Sequence, residues 1–159
     1  MDYLFLHRDK RTFTSERQKN LLFRAARLYW EQKYADNEVV PKRKVDCEIY
    51  KYVLYYLEVR QVFLDPKLSL KKLSDMVETN QTYLSNVVNR YFGCHLKELV
   101  NTYRVEYAKE LLHSGKCLPE ELPQRCGFLS RSTFYAAFKK VAGVSPKRYM
   151  KQEQRVIQS

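Results

Sequence analysis

Apolar side chains recur along this 159-residue chain with a period near that of an α-helix, and polar breaks divide the recurrence into segments. Leu21, Leu22, Ala25, Leu28 and Tyr29 predict a first helix from Ser15 to about Tyr34, opened by a capping box, Ser15-Glu16-Arg17-Gln18. Asp36-Asn37 interrupts it, and Pro41-Lys42-Arg43-Lys44 reads as a solvated basic linker. A second helix is expected from about Asp46 to Phe63, with Ile49, Val53, Tyr56, Leu57 and Arg60 along one side. Asp65-Pro66 ends it, because the residue before proline is pushed out of the α region. Its tyrosines, Tyr50, Tyr52, Tyr55 and Tyr56, fit core and core rim better than a base-stacking surface, since tyrosine buries its ring and keeps its hydroxyl wet.

From Leu68 the segments shorten. Ser69 can cap a helix to about Glu78, with Leu70, Leu73, Met76 and Val77 inward. Asn80 can cap the next, about Gln81 to Phe92, with Leu84, Val87, Val88 and Tyr91 inward and Gly93 as its stop. A longer helix follows, about His95 to His113, on Leu96, Leu99, Val100, Tyr103, Tyr107, Ala108 and Leu111. After Ser114-Gly115-Lys116 come a helix over about Pro119 to Cys126 and another over Arg131 to Val141, between Ser130 and Gly143. Proline in a helix interior costs about 3 kcal/mol but little in the first turn. Pro123 therefore predicts an effective helix start at Glu120 or Glu121. Ser145-Pro146 opens a final helix.

A shift of 50 residues superposes two of these segments: Asn80 on Ser130, Leu84 on Phe134, Val88 on Phe138, Arg90 on Lys140, Gly93 on Gly143. Each is a short helix, a tight turn and a second capped helix, the form of a helix-turn-helix. In such a motif the second helix enters the major groove of DNA. The intervening helix, about 18 residues at 1.5 Å each, spans about 27 Å. Successive major grooves on one face of DNA lie about 34 Å apart, so that helix plus its flanking turns is a suitable separator.

Charge sharpens this reading. The chain carries 29 Lys+Arg against 18 Asp+Glu, a formal net charge of +11. Residues 67–150 hold fourteen basic and seven acidic side chains, so most of the excess lies on the repeat. A polyanion is the implied partner: nucleic acid first, an anionic membrane surface second. No apolar run approaches the roughly 20 residues needed to span a bilayer. Four glycines leave little material for phosphate-cradling loops. Cys47, Cys94, Cys117 and Cys126 form no C-x-x-C pair and have no histidine at zinc spacing, so reduced, mostly buried thiols are expected. No catalytic constellation is recognisable, and neither an enzyme nor a cofactor is expected.

The stretch DPKLSLKKLSDMVETNQTYLSNVVNRYFG, then YRVEYAKELL, then GFLSRSTFYAAFKKVAGVSPKRYM resembles the AraC/XylS family of bacterial transcription regulators. The resemblance covers about Leu68 to Met150, with Tyr83-Leu84-Ser85, Tyr103-Arg104, Gly127-Phe128 and Gly143-Val144-Ser145-Pro146 in order. It implies an all-α fold: two helix-turn-helix subdomains, about 69–93 and 119–143, joined by a linking helix, about 95–113, with an N-terminal helical extension. Residues 1–45 would then be a lead-in or connector, 46–153 the DNA-binding domain, and 154–159 a tail. The implied function is sequence-specific binding of double-stranded promoter DNA, with recruitment or exclusion of RNA polymerase. The implied base contacts are Thr82, Ser85 and Asn86 in the first unit and Arg131, Ser132, Thr133 and Ala136 in the second. Asn suits adenine and Arg guanine, whereas Ala136 offers only an apolar contact, so weaker readout is expected from the second unit. Arg90, Lys139, Lys140, Lys147 and Arg148 are phosphate candidates, against the alternative of a solvated basic face.

Residues 1–66 contain no strand-rich segment for a ligand-binding barrel of the kind such regulators often carry. The helix at Asp46 is expected to pack on the first helix-turn-helix. The helix at Ser15 suits a connector from a sensor domain, a dimerisation helix or a juxtamembrane piece. The basic cluster His7-Arg8-Asp9-Lys10-Arg11 would suit the cytoplasmic side of a membrane segment. The expected location is cytoplasmic, alone or as the cytoplasmic portion of a membrane-anchored protein. The competing function is a basic helical adaptor for a protein or an anionic membrane surface.

Overall fold

A computed structural model of the chain describes residues 16–33, 44–115 and 117–158. Ser15 of the expected capping box, the cluster at residues 7–11 and residues 41–43 of the linker lie outside them. The described residues form helices and no strand: α1 (Glu16–Lys33), α2 (Lys44–Glu58), a 3-10 turn (Val62–Leu64), α3 (Leu70–Met76), α4 (Gln81–Phe92), α5 (Leu96–Ser114), α6 (Leu122–Arg125), α7 (Arg131–Ala142) and α8 (Pro146–Ile157). No described helix is long and apolar enough to cross a membrane. The elements divide into two compact units. One holds α1 to α4 and the start of α5, the other Phe63–Pro66 and the chain from Asn101 onward.

In the first unit α4 packs against α1, α2 and α3. The buried stripe of α4, Leu84, Val87, Val88, Tyr91 and Phe92, supplies the centre of that core. Tyr50 of α2 stacks on Tyr91 with ring centroids 4.7 Å apart. Trp30 of α1 meets Phe92 edge-on at 4.9 Å. Leu28, one of the recurring apolar positions of α1, is 60% exposed, and Ala26 and Trp30 line the buried side. One indole buries more apolar area than one leucine, so its pocket sets the helix face. The tyrosines of α2 divide between core and surface. Tyr50 is buried, Tyr56 is half-buried with its hydroxyl on the Met76 carbonyl, and Tyr52 and Tyr55 are exposed.

Two helices stop earlier than their apolar spacing suggests. α2 ends at Glu58, well short of Phe63: the amides of Val59 and Arg60 both donate to the Tyr55 carbonyl, and Gln61 takes a φ of 51°. α3 ends at Met76, and Glu78 takes a φ of 57°. Side chains in the left-handed region cannot continue a right-handed helix.

In the second unit, α5 contributes Val105, Ala108, Leu111 and Leu112 to a core shared with Leu122, Cys126, Phe128, Phe134, Ala137 and Phe138. Residues Tyr103 to Glu106 are buried in succession, so α5 has no simple solvent face there. α6 is a single turn beginning after Glu121, shorter than the span of 119–126 expected, with Pro123 in its first turn. That position needs no amide donor, which is why proline is accommodated. None of the four cysteines is in a disulfide, but only Cys126 is buried; Cys47, Cys94 and Cys117 are half-buried. Burial pushes the Cys126 thiol up to about 12, so it stays neutral at physiological pH.

Candidate nucleic-acid interface

The repeat seen in the sequence is a repeat of cap geometry. Asn80 sits in extended backbone and its side-chain Oδ1 accepts from the Tyr83 amide at 2.8 Å. Ser130, also extended, accepts through Oγ from the Thr133 amide at 3.2 Å. Each second helix closes on a left-handed glycine, Gly93 at φ 68° and Gly143 at φ 77°, whose amides return to the Asn89 and Lys139 carbonyls. These caps make α4 and α7 twelve-residue helices with matched ends. Truncating either cap, Asn80→Ala or Ser130→Ala, should lower stability by about 1 kcal/mol. The expected result is a lower urea midpoint with an unchanged slope.

With one face of α4 buried, the opposite face presents Thr82 and Asn86 exposed and Ser85 half-buried. Spacings of three and four place all three on one strip. Gln81 and Asn89 flank it, exposed and half-buried, and were not singled out from sequence. In α7, Phe134, Ala137 and Phe138 are buried, whereas Arg131, Ser132, Thr133 and Ala136 are all exposed near the helix start. The Thr133 and Ser132 hydroxyls lie 2.6 Å and 3.3 Å from Ser130 Oγ, so both join the cap. Tyr135, also unflagged by sequence, is exposed, and the Arg131 guanidinium carbon sits 5.8 Å above its ring. Neither helix has an acidic residue in its first turn, so the positive ends of their dipoles are not offset there.

The phosphate candidates fall into two kinds. Lys139 and Lys140 in the last turn of α7, and Lys147 and Arg148 in the first turn of α8, are exposed. Arg90 differs: its Nη1 donates to Asp46 Oδ2 at 2.8 Å. Tyr83 donates its hydroxyl to the other oxygen of the same carboxylate. No group of three metal-ligating side chains occurs among the described residues.

Comparison with known proteins agrees with this arrangement. A family model described as "Helix-turn-helix domain" matches residues 73–152, half of the chain. The melibiose operon regulatory protein of Escherichia coli (strain K12) is 27% identical over 90 residues, 57% of this chain and 30% of that protein. The probable transcriptional regulator LumQ of Photobacterium leiognathi is 30% identical over 86 residues, 54% and 35% of the two chains. The chain thus spans about a third of the length of these curated relatives. Among solved structures, the C-terminal domain of AraT, a response regulator from Geobacillus stearothermophilus, matches 71% of this chain and 88% of its own with a TM-score of 0.58 at 26% identity. A Listeria innocua protein of unknown function matches 65% and 95% with a TM-score of 0.59 at 34% identity. By the family model, the order of its motifs and the capped helix pairs that carry them, the chain belongs to the AraC/XylS family of helix-turn-helix transcription regulators.

Proposed function

We propose that the chain binds double-stranded promoter DNA in a sequence-specific manner, with α4 and α7 as recognition helices in successive major grooves. The observation that carries this reading is the duplicated capped helix. Each copy exposes a short strip of small polar or hydrogen-bonding side chains at a helix start without carboxylates, and cations follow. Small residues let the backbone approach base edges, and the dipole favours nearby phosphate. Asn86 would pair with adenine and Arg131 with guanine; Thr82, Ser85 and Ser132 would reach bases or phosphates. Readout by the second unit would be narrower, since Ala136 has no polar group and offers only an apolar contact. Lys139, Lys140, Lys147 and Arg148 would supply affinity without sequence preference. Promoter binding would act by recruiting or excluding RNA polymerase, under control of a sensor domain or membrane segment elsewhere in the protein.

The test is selection of duplexes from a random pool. A single asymmetric site of two helical turns is expected, whereas a palindrome would point to a dimer. Asn86→Ala and Arg131→Ala should each relax preference at one base position by about 1–3 kcal/mol. With roughly six phosphates neutralised, log K should fall against log salt with a slope near −5. A slope near zero, or no duplex recovered, overturns the reading and turns attention to an adaptor role.

A further inference from the structure

The Asp46 carboxylate is a buried acid that touches a candidate recognition helix. It is 2% exposed, and both its oxygens are engaged from α4, by Tyr83 and by Arg90. Tyr83 and Arg90 are seven residues apart, two turns, so they project from the same side of α4. Asp46 lies in the first turn of α2, where the positive helix end supports a carboxylate. A carboxylate this deeply buried needs hydrogen-bonding partners, and among the described residues Tyr83 and Arg90 of α4 supply two. The Arg90 side chain itself is 39% exposed. One N–H of its planar fork is committed inward, and the fork carries five.

We propose that Asp46 is a positioning residue for DNA binding: it holds the Arg90 guanidinium in a fixed plane so that its outward N–H groups meet a backbone phosphate. This rests on the DNA-binding reading above. The arrangement also ties the rotation of α4 to the first turn of α2. Displacement of that turn would therefore change DNA affinity without touching a base-reading residue. Sequence inspection alone places Arg90 among generic phosphate cations. The paired geometry makes it a group whose direction is set by a residue 44 positions away.

The sign of one substitution separates this from plain electrostatics. Asp46→Asn removes a negative charge near DNA, which by Coulomb attraction alone should tighten binding. A positioning role predicts the opposite. The measurement uses the full chain and a duplex of two helical turns that the wild type selects from a random pool. Affinity is followed by fluorescence anisotropy across a salt series, with circular dichroism to confirm folding. Asp46→Asn is expected to weaken binding about tenfold with unchanged base preference. Arg90→Met is expected to weaken it similarly and make the salt slope shallower by about 0.9. The double variant should bind no more weakly than Arg90→Met alone. Folded Asp46→Asn that binds as tightly as wild type, or more tightly, overturns the proposal, as does an unchanged slope in Arg90→Met. If Asp46→Asn does not fold, Tyr83→Phe takes its place, because it loosens the carboxylate and spares the ion pair. About threefold weaker binding supports the proposal and unchanged affinity overturns it. If the wild type binds no duplex, the DNA-binding reading fails and this one with it; wild-type binding that ignores Asp46 sinks this one alone.

Discussion

Gly127→Ala should unfold the second unit at a temperature more than about 10 °C below the wild type, a loss of roughly 3 kcal/mol or more. Two costs combine at this residue. Its φ is +86°, a region that L side chains rarely adopt. A Cβ placed there would lie 2.6 Å from the Phe63 carbonyl oxygen and 2.9 Å from that of Leu64. Those atoms are backbone, held in the 3-10 turn by the buried Phe63 ring, and cannot swing aside as a flexible side chain would. Gly143 supplies the internal control. It has a comparable φ of +77°, but a Cβ there meets nothing within 4 Å. Gly143→Ala should therefore cost only about 1 kcal/mol, the conformational part. The difference between the two variants, measured by thermal melts followed by circular dichroism, isolates the steric part. Equal melting temperatures would mean that the turn at Phe63 yields to the methyl group.

That pair of glycines also shows where sequence reasoning reaches and where it stops. Gly143 is legible because its role is local: the third-from-cap spacing, the apolar period and the terminal glycine all lie within one helix. The same holds for Asn80 and Gly93, and for Pro123, whose missing amide restricts it to a first turn whatever the tertiary fold. Gly127 carries the family resemblance, but the reason it must be glycine lies more than sixty residues away. Periodicity finds the buried face of a helix without naming what covers it. It therefore recovered Leu84, Val87 and Val88 of α4 but did not single out Trp30 of α1, whose indole is the side chain that docks. The candidate base-reading positions rest on the family resemblance and not on periodicity; subtracting the buried stripe of α4 and α7 leaves them on the open face together with Gln81, Asn89 and Tyr135, which the resemblance did not single out. The pairing of Asp46 with Arg90 was not legible, since a carboxylate in a first helical turn is ordinary until its long-range partners are seen.

Removing Arg104 should have an effect of comparable size by a different route. Its Nε donates to the Phe63 carbonyl at 2.7 Å and its Nη2 to the Asp65 carbonyl at 2.9 Å. Its guanidinium carbon lies 5.3 Å from the centre of the Phe128 ring. Hydrogen bonds from a charged donor contribute about 1.5–3 kcal/mol each, and a buried cation over a ring adds about 1–2. Arg104→Met keeps much of the aliphatic volume, so its expected cost, about 3–5 kcal/mol, comes mainly from two carbonyls left without this donor. Arg104→Lys retains the charge but lacks the fork, can serve one carbonyl at a time, and should recover less than half of the loss. Burial lowers the proton affinity of Arg104, with the nearby Asp65 working the other way. Arginine starts so far above neutrality that the group stays charged throughout the accessible range. The pH dependence follows from the sign. A base whose folded-state pKa is depressed suffers its full desolvation cost wherever it is protonated in both states, so this contribution is flat between pH 6 and pH 9. The difference in urea-unfolding free energy between wild type and Arg104→Met should accordingly be the same at both pH values. A difference that shrinks as the pH rises would show that a titrating neighbour, and not the two carbonyls, accounts for the loss.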